Sequence, residues 1–182
     1  LLWVVDKPSG ITSHDVINQV RRQTGVKRVG HAGTLDPLAT GLLIVLVGRT
    51  ATRLQAQVMG MSKEYLCTAE LGYVTDTNDL DGQVTQRWPW TRVSQVTHSQ
   101  LVAASQQFRG GYQQQVPAYS AVKLGGRKLY QLARAQQVVV RPVRQVQIES
   151  LEVEDFDSDP LAQRASFTFR VRCGSGTYVR AL

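Results

Sequence analysis

The sequence predicts an α+β fold, a mixed and largely antiparallel sheet flanked by helices, with residues 1–182 forming one undivided domain. Three observations carry that expectation. Residues 65–71 and 166–173 alternate apolar and polar side chains with the period of a half-buried strand. Two helical segments, opening near residues 12 and 97, bring their own capping signals. Strands and helices also follow one another without the regular βαβ rhythm of a doubly wound parallel sheet.

In chain order, Leu2-Trp3-Val4-Val5 reads as a short buried strand and Lys7-Pro8-Ser9-Gly10 as the turn after it. Thr12 with Asp15 forms a capping box, Val16, Ile17 and Val20 recur at helical spacing, and Gly25 closes the helix. Residues 30–41 form a loop with three glycines and a proline, leading into the apolar run Leu42–Val47. The next strand starts at Tyr65, with Tyr65, Cys67, Ala69 and Leu71 on one face. Residues 75–82 are a polar turn. Thr97 and Gln100 make a second capping box, whose helix runs to Phe108 and stops at Gly110-Gly111. After a Gly125-Gly126 turn, Leu129–Arg134 reads as a short helix. Val138–Val140, Val143–Val153 and Ser166–Cys173 read as strands, with Asp155, Asp157 and Asp159 in a solvated loop.

The net charge is +7, and the basic residues concentrate in the first and last thirds around a nearly neutral middle. That balance suits a polyanionic partner, nucleic acid being the commonest. No apolar run approaches the ~20 residues of a membrane helix. Two cysteines support neither a disulfide framework nor a cysteine-rich zinc site, so a reducing, cytoplasmic setting is expected. Leu1 at the start and Leu182 at the end, just past an apparent helix start, read as the bounds of a fragment.

Several familiar sites are missing. The sequence has no P-loop, no dinucleotide fingerprint and no nucleophile elbow. Its three histidines are scattered, and Asp76, Asp79 and Asp81 lack the closing Glu of a calcium loop. The loop at 30–41 stands apart. It holds a lone carboxylate, Asp36, between Leu35 and Pro37, and the proline steers Asp36 away from helical backbone. Such a loop presents one carboxylate in a fixed direction near His31. It serves either as a turn cap or as a nucleophile or electrostatic partner; with no second acid nearby, two-acid hydrolysis is disfavoured.

Six strings in order resemble the TruB family, the bacterial tRNA pseudouridine(55) synthases. They are Asp6-Lys7-Pro8-Ser9-Gly10, the whole of Gly30–Gly41 including Gly33-Thr34-Leu35-Asp36-Pro37, Lys63-Glu64-Tyr65, Thr75-Asp76-Thr77 with Asp81-Gly82, Pro117–Lys123 with Leu129-Tyr130 and Ala133-Arg134, and Gly174–Arg180. The resemblance implies the pseudouridine synthase fold and an isomerase that turns the TΨC-loop uridine of tRNA into pseudouridine. No cofactor, no membrane and no obligate protein partner is implied; the partner is the tRNA T stem-loop. Asp36 takes the place of the catalytic aspartate, and Arg180 that of the arginine paired with it. Tyr65 matches the tyrosine that stacks on the target base and is placed to remove the C5 proton. Tyr178 matches a second substrate contact, and His31 the residue that fills the space left by the flipped uridine. Lys7 is expected to be structural or phosphate-facing. The chain departs from the resemblance in two ways: Ala135-Gln136 stands where a glycine is usual, and a PUA domain and a longer terminal helix are absent from these residues. A catalytically silent RNA-binding module on the same fold is the principal alternative.

Overall fold

Strand β1 (Leu2–Lys7) lies antiparallel to β3 (Gly41–Val47), with Leu2 opposite Leu46 and Lys7 opposite Gly41; β3 is flanked on its other side by β2 (Val29–His31). The central place of β3 explains its unbroken apolar run. Leu43, Val45 and Val47 face helix α1 (Ser13–Thr24), while Leu46 packs under the short helices α2 (Arg49–Thr52) and α3 (Gln55–Met59). A strand covered on both faces needs no polar alternation. Helix α1 starts and stops as its sequence signals. Thr12 accepts from the Asp15 amide, the Asp15 carboxylate accepts from the Thr12 amide, and Gly25 takes the left-handed conformation at φ 67°. Its Val16, Ile17 and Val20 close the core against Val29, Leu43, Val45 and Val47.

These elements form one unit, Leu1–Met61; Ser62–Leu182 forms a second. The computed structural model describes all 182 residues. The sequence reads as undivided because no linker marks residue 61, whereas the structure gives each unit its own sheet and its own buried clusters. No helix is long and apolar enough to cross a membrane.

The second unit is built on a four-stranded antiparallel sheet. Its order is β4 (Lys63–Glu70), β11 (Arg164–Cys173), β10 (Val143–Asp159) and β7 (Gly110–Gln115). Ile148, Leu151, Val171 and Cys173 are buried on one face with Tyr65 and Phe169 against them. The opposite face carries cross-strand ion pairs, with Arg170 bridging Glu64 and Glu154. A small hairpin, β5 (Tyr73–Thr75) with β6 (Val84–Arg87), encloses the 75–82 turn. Helices α4 (Trp90–Val93) and α5 (His98–Ser105) follow, α5 opening with the predicted Thr97–Gln100 capping box. Strands β8 (Lys123–Leu124) and β9 (Arg127–Lys128) precede α6 (Leu129–Arg134), and Leu129 and Leu132 make a second cluster with Val116.

Three sequence expectations are corrected. Gly110 and Gly111 do not cap α5; that helix ends at Ser105, a 3-10 turn spans Gln106–Phe108, and the glycines open β7 opposite Ile148 and Gln147. The polar string Gln113–Gln115 conceals this strand, since only its alternate side chains turn inward. Val138–Val140 forms no strand. Val139 packs inward and its two neighbours point into solvent, as in a strand, but no partner strand lies beside them. Asp155, Asp157 and Asp159 do not lie in a loop. They extend β10, with their backbones paired to β11 as far as Arg164.

Candidate active site

In the first unit, the loop containing Asp36 is held by its backbone from both sides of the carboxylate. Helix α1 begins with Ser13, whose hydroxyl accepts from the Leu35 amide at 2.9 Å and donates to the Leu35 carbonyl at 3.0 Å. On the far side, the Pro37 carbonyl accepts from the Gly10 amide at 2.9 Å and from the Lys7 ammonium at 3.0 Å. The Ser9 hydroxyl donates to the Leu38 carbonyl, and the Ala39 amide donates to the Asp36 carbonyl. The Asp36 side chain is half-buried.

Lys7 is fully buried, and its ammonium donates to the carbonyls of Pro8 (2.9 Å), Ile11 (2.8 Å) and Pro37 (3.0 Å). An ammonium has three protons, and these three acceptors use them all. Of the two roles expected of Lys7, structural or phosphate-facing, this geometry fits the structural one, because no part of the side chain reaches solvent. Burial lowers the proton affinity of Lys7, and the negative charge of Asp36 opposes that shift.

His31 ends β2, half-buried, with its carbonyl accepting from the Gln55 side-chain amide of α3 at 2.8 Å. Burial lowers its imidazole below the ordinary value of 6.5, opposed by the Gly33 backbone and reinforced by His14. The unfolded chain then takes up this proton first as the pH falls. The stability His31 contributes as a neutral ring is complete above about 6.5 and is lost as the pH drops through its lower folded value. Urea unfolding midpoints at pH 7.5 and 5.5 are expected to diverge less in His31→Gln than in the parent protein.

The second unit gathers three of the family-like strings around Arg180, its own among them. This residue lies on the terminal 3-10 turn Val179–Ala181. Its guanidinium donates to the Thr77 carbonyl at 2.8 Å and to the Tyr119 carbonyl, and sits 3.6 Å from the Asp79 carboxylate. The side chains of Arg180 and Asp79 are only 12% and 15% exposed, which separates this arginine from a solvated surface cation. Asp79 is in turn bound by the Thr77 hydroxyl and the Asp81 amide. Gly82 completes this turn, since a Cβ there would lie 2.2 Å from the Thr77 hydroxyl. The Tyr119 hydroxyl donates to Asp76 at 3.1 Å, which holds the phenol above its usual range.

Tyr178 is fixed through its backbone. The buried amide of Gln114 accepts from its N–H at 2.8 Å and donates to its carbonyl at 3.0 Å, while the ring packs on the Val116–Leu129–Leu132 cluster. Tyr65 faces inward from β4, opposite Val171, against the core of the four-stranded sheet. No group of three or more His, Cys, Asp or Glu side chains is arranged to hold a metal ion.

Lys7, His31 and Asp36 thus belong to the first unit, and Tyr65, Tyr178 and Arg180 to the second. The reading of the sequence passed over Ser13, Gln55, Asp79, Gln114 and Tyr119. Ser13, Gln55 and Gln114 bond backbone groups of distant residues, while Tyr119 reaches the distant Asp76 carboxylate and offers its own carbonyl to Arg180, and a sequence carries no sign of such bonds. Asp79 lies within the turn that the sequence identifies, and its nearness to an arginine was the only signal that it lacked.

A sequence model described as TruB family pseudouridylate synthase (N terminal domain) matches residues 21–179. The chain is 45% identical over 179 residues to tRNA pseudouridine synthase B of Opitutus terrae, covering 98% of this chain and 70% of that protein. It is 42% identical to the same-named protein of Geobacillus kaustophilus and 43% identical to that of Mycobacterium leprae, covering 98% of this chain in both and 62% and 56% of those proteins. The chain therefore spans between about half and 70% of the curated relatives it matches. Among solved structures, the crystal structure of a Cbf5-Nop10-Gar1 complex superimposes with a TM-score of 0.67 at 25% identity, covering 99% of this chain and 41% of that one. An H/ACA RNP bound to a substrate RNA containing 2'-deoxyuridine matches at 0.63 and 21% identity, covering 99% and 39%, a likeness of fold.

Proposed function

Because the chain belongs to the TruB family of pseudouridylate synthases, we propose that it isomerises the TΨC-loop uridine of tRNA to pseudouridine, with Asp36 as the reacting carboxylate. The observation that carries this reading is the loop around Asp36, whose backbone is bonded on both sides of that residue before any substrate arrives. A net charge of +7 supports an RNA substrate.

The reaction breaks the C1′–N1 bond of the uridine, turns the base and joins C5 to C1′. The C5 proton leaves and N1 gains one, so no electron is gained or lost. Asp36 adds to C6, attacks C1′, or removes a proton to form a glycal; each route requires the ionised carboxylate. Arg180 supplies positive charge to the same chemistry, and the Thr77 and Tyr119 carbonyls with Asp79 keep its guanidinium fixed. The target base is taken out of its stack before its glycosidic bond is reachable. Tyr178 contacts the extracted nucleotide, and His31, neutral at physiological pH, occupies the space it leaves. Lys7 acts as a positioning residue that holds Pro37, not as a substrate contact.

The test is tritium release from tRNA labelled at C5 of uridine, using the full-length protein. Release at one equivalent per modified uridine is expected. Binding of the tRNA with no release would leave a silent RNA-binding module and overturn the enzyme. Tyr65 accepts the C5 proton, so Tyr65→Phe is expected to slow release by about 10²–10⁴-fold while RNA affinity stays within a few-fold.

A further inference from the structure

We propose that Ser13 is a positioning residue for Asp36, which sets the direction of the reacting carboxylate through the peptide groups just before it. The proposal rests on the functional reading above. Ser13 is the first residue of α1 and is 2% exposed, and its hydroxyl bonds both backbone groups of Leu35, twenty-two positions along the chain. Two consecutive peptide planes, Thr34–Leu35 and Leu35–Asp36, are thereby tied to a helix terminus. The Asp36–Pro37 plane is tied separately, because the Asp36 carbonyl accepts from the Ala39 amide at 3.1 Å. With the planes on either side fixed, the two backbone torsions of Asp36 have little freedom left, and the Cα–Cβ bond that carries the carboxylate leaves the chain in one direction. Misplacing a reacting group by about 1 Å slows a reaction by as much as ~10²-fold, even when nothing at the reacting atoms changes.

Helix capping does not account for this arrangement. The cap of α1 is Thr12, whose side chain and backbone form the box with Asp15, and Ser13 has no part in it. Ser13 spends its hydroxyl on the loop instead.

The experiment compares Ser13→Ala and Ser13→Cys with the full-length parent protein, using steady-state kinetics on a tRNA stem-loop. Cysteine keeps the buried volume and replaces a strong hydrogen-bonding group by a weak one, so it separates packing from hydrogen bonding. The expected result is a kcat lowered about 10- to 100-fold in Ser13→Ala and by an intermediate factor in Ser13→Cys, with KM within about threefold of the parent. Thr24→Ala, which removes a helix-end bond to the Val20 carbonyl away from the loop, serves as the stability control and is expected to lower the melting temperature with kcat unchanged. Parental kcat in a folded Ser13→Cys or Ser13→Ala, or a loss confined to KM, overturns the proposal. A parent protein that binds tRNA and releases no tritium overturns the functional reading and, with it, this proposal.

Discussion

Asp36→Asn is expected to abolish tritium release from C5-labelled tRNA, by at least about 10³-fold, and to leave tRNA affinity within a few-fold. Asparagine keeps the size of the side chain and leaves every bond that fixes the loop in place, because those bonds run to the backbone of residues 35, 36, 37 and 38. What it removes is the negative charge and the basic oxygen that each of the three chemical routes needs. A salt titration of binding in the same samples shows whether the RNA interface survives, since phosphate contacts report through its slope. Equal release by the two proteins would falsify the role assigned to Asp36 while leaving the family membership untouched.

The second large effect concerns stability. Lys7→Met keeps most of the apolar stem and deletes the ammonium, leaving the carbonyls of Pro8, Ile11 and Pro37 inside without their donor. Leaving a buried acceptor without its donor typically costs about 1–3 kcal/mol, so the loss of all three donors is expected to destabilise the protein by several kcal/mol. For a chain of this size that is a fall of roughly 10 °C in melting temperature. Lys7→Arg is expected to fare little better, because a planar guanidinium cannot send three donors in the directions of a tetrahedral ammonium. Calorimetry of both variants checks this, and a parental melting temperature in Lys7→Met would show that water takes over the three carbonyls. If the unfolding splits into two transitions, the lower is expected to be that of Leu1–Met61.

Much of the fold was legible where one residue acts on its near neighbours. The Thr12–Asp15 box, Gly25 and the Val16–Ile17–Val20 stripe describe α1 completely, because a helix satisfies itself within a few positions. The alternations at Tyr65 and Phe167 describe β4 and β11 for a similar reason, each strand having one dry face. The failures share the opposite property. Strand β7 exists because β10 lies beside it, and Val138–Val140 fails as a strand because nothing does. The exposed β5–β6 hairpin has almost no inward face to reveal it.

The candidate site divides along the same line. The unusual character of the 30–41 loop, with its lone carboxylate before proline, can be read from the residues, and the roles of Tyr65, Tyr178 and Arg180 come from the resemblance alone. The supports could be read from neither. Ser13 resembles any serine at a helix start, and Gln114 sits in a run of three glutamines of which it alone is buried.

The three carbonyls around the Lys7 ammonium form a small cation cage, much as a crown ether encloses its guest. Two of its oxygens come from residues 8 and 11 and the third from residue 37, so the cage closes only after distant parts of the chain have met. Opening the loop alone would strand a desolvated charge with a third of its coordination missing, which is dearer than leaving the loop shut. The loop therefore has no inexpensive excursion of its own. It orders when its unit folds, it stays ordered while waiting for RNA, and the entropy of arranging it is spent once per folding event instead of once per turnover.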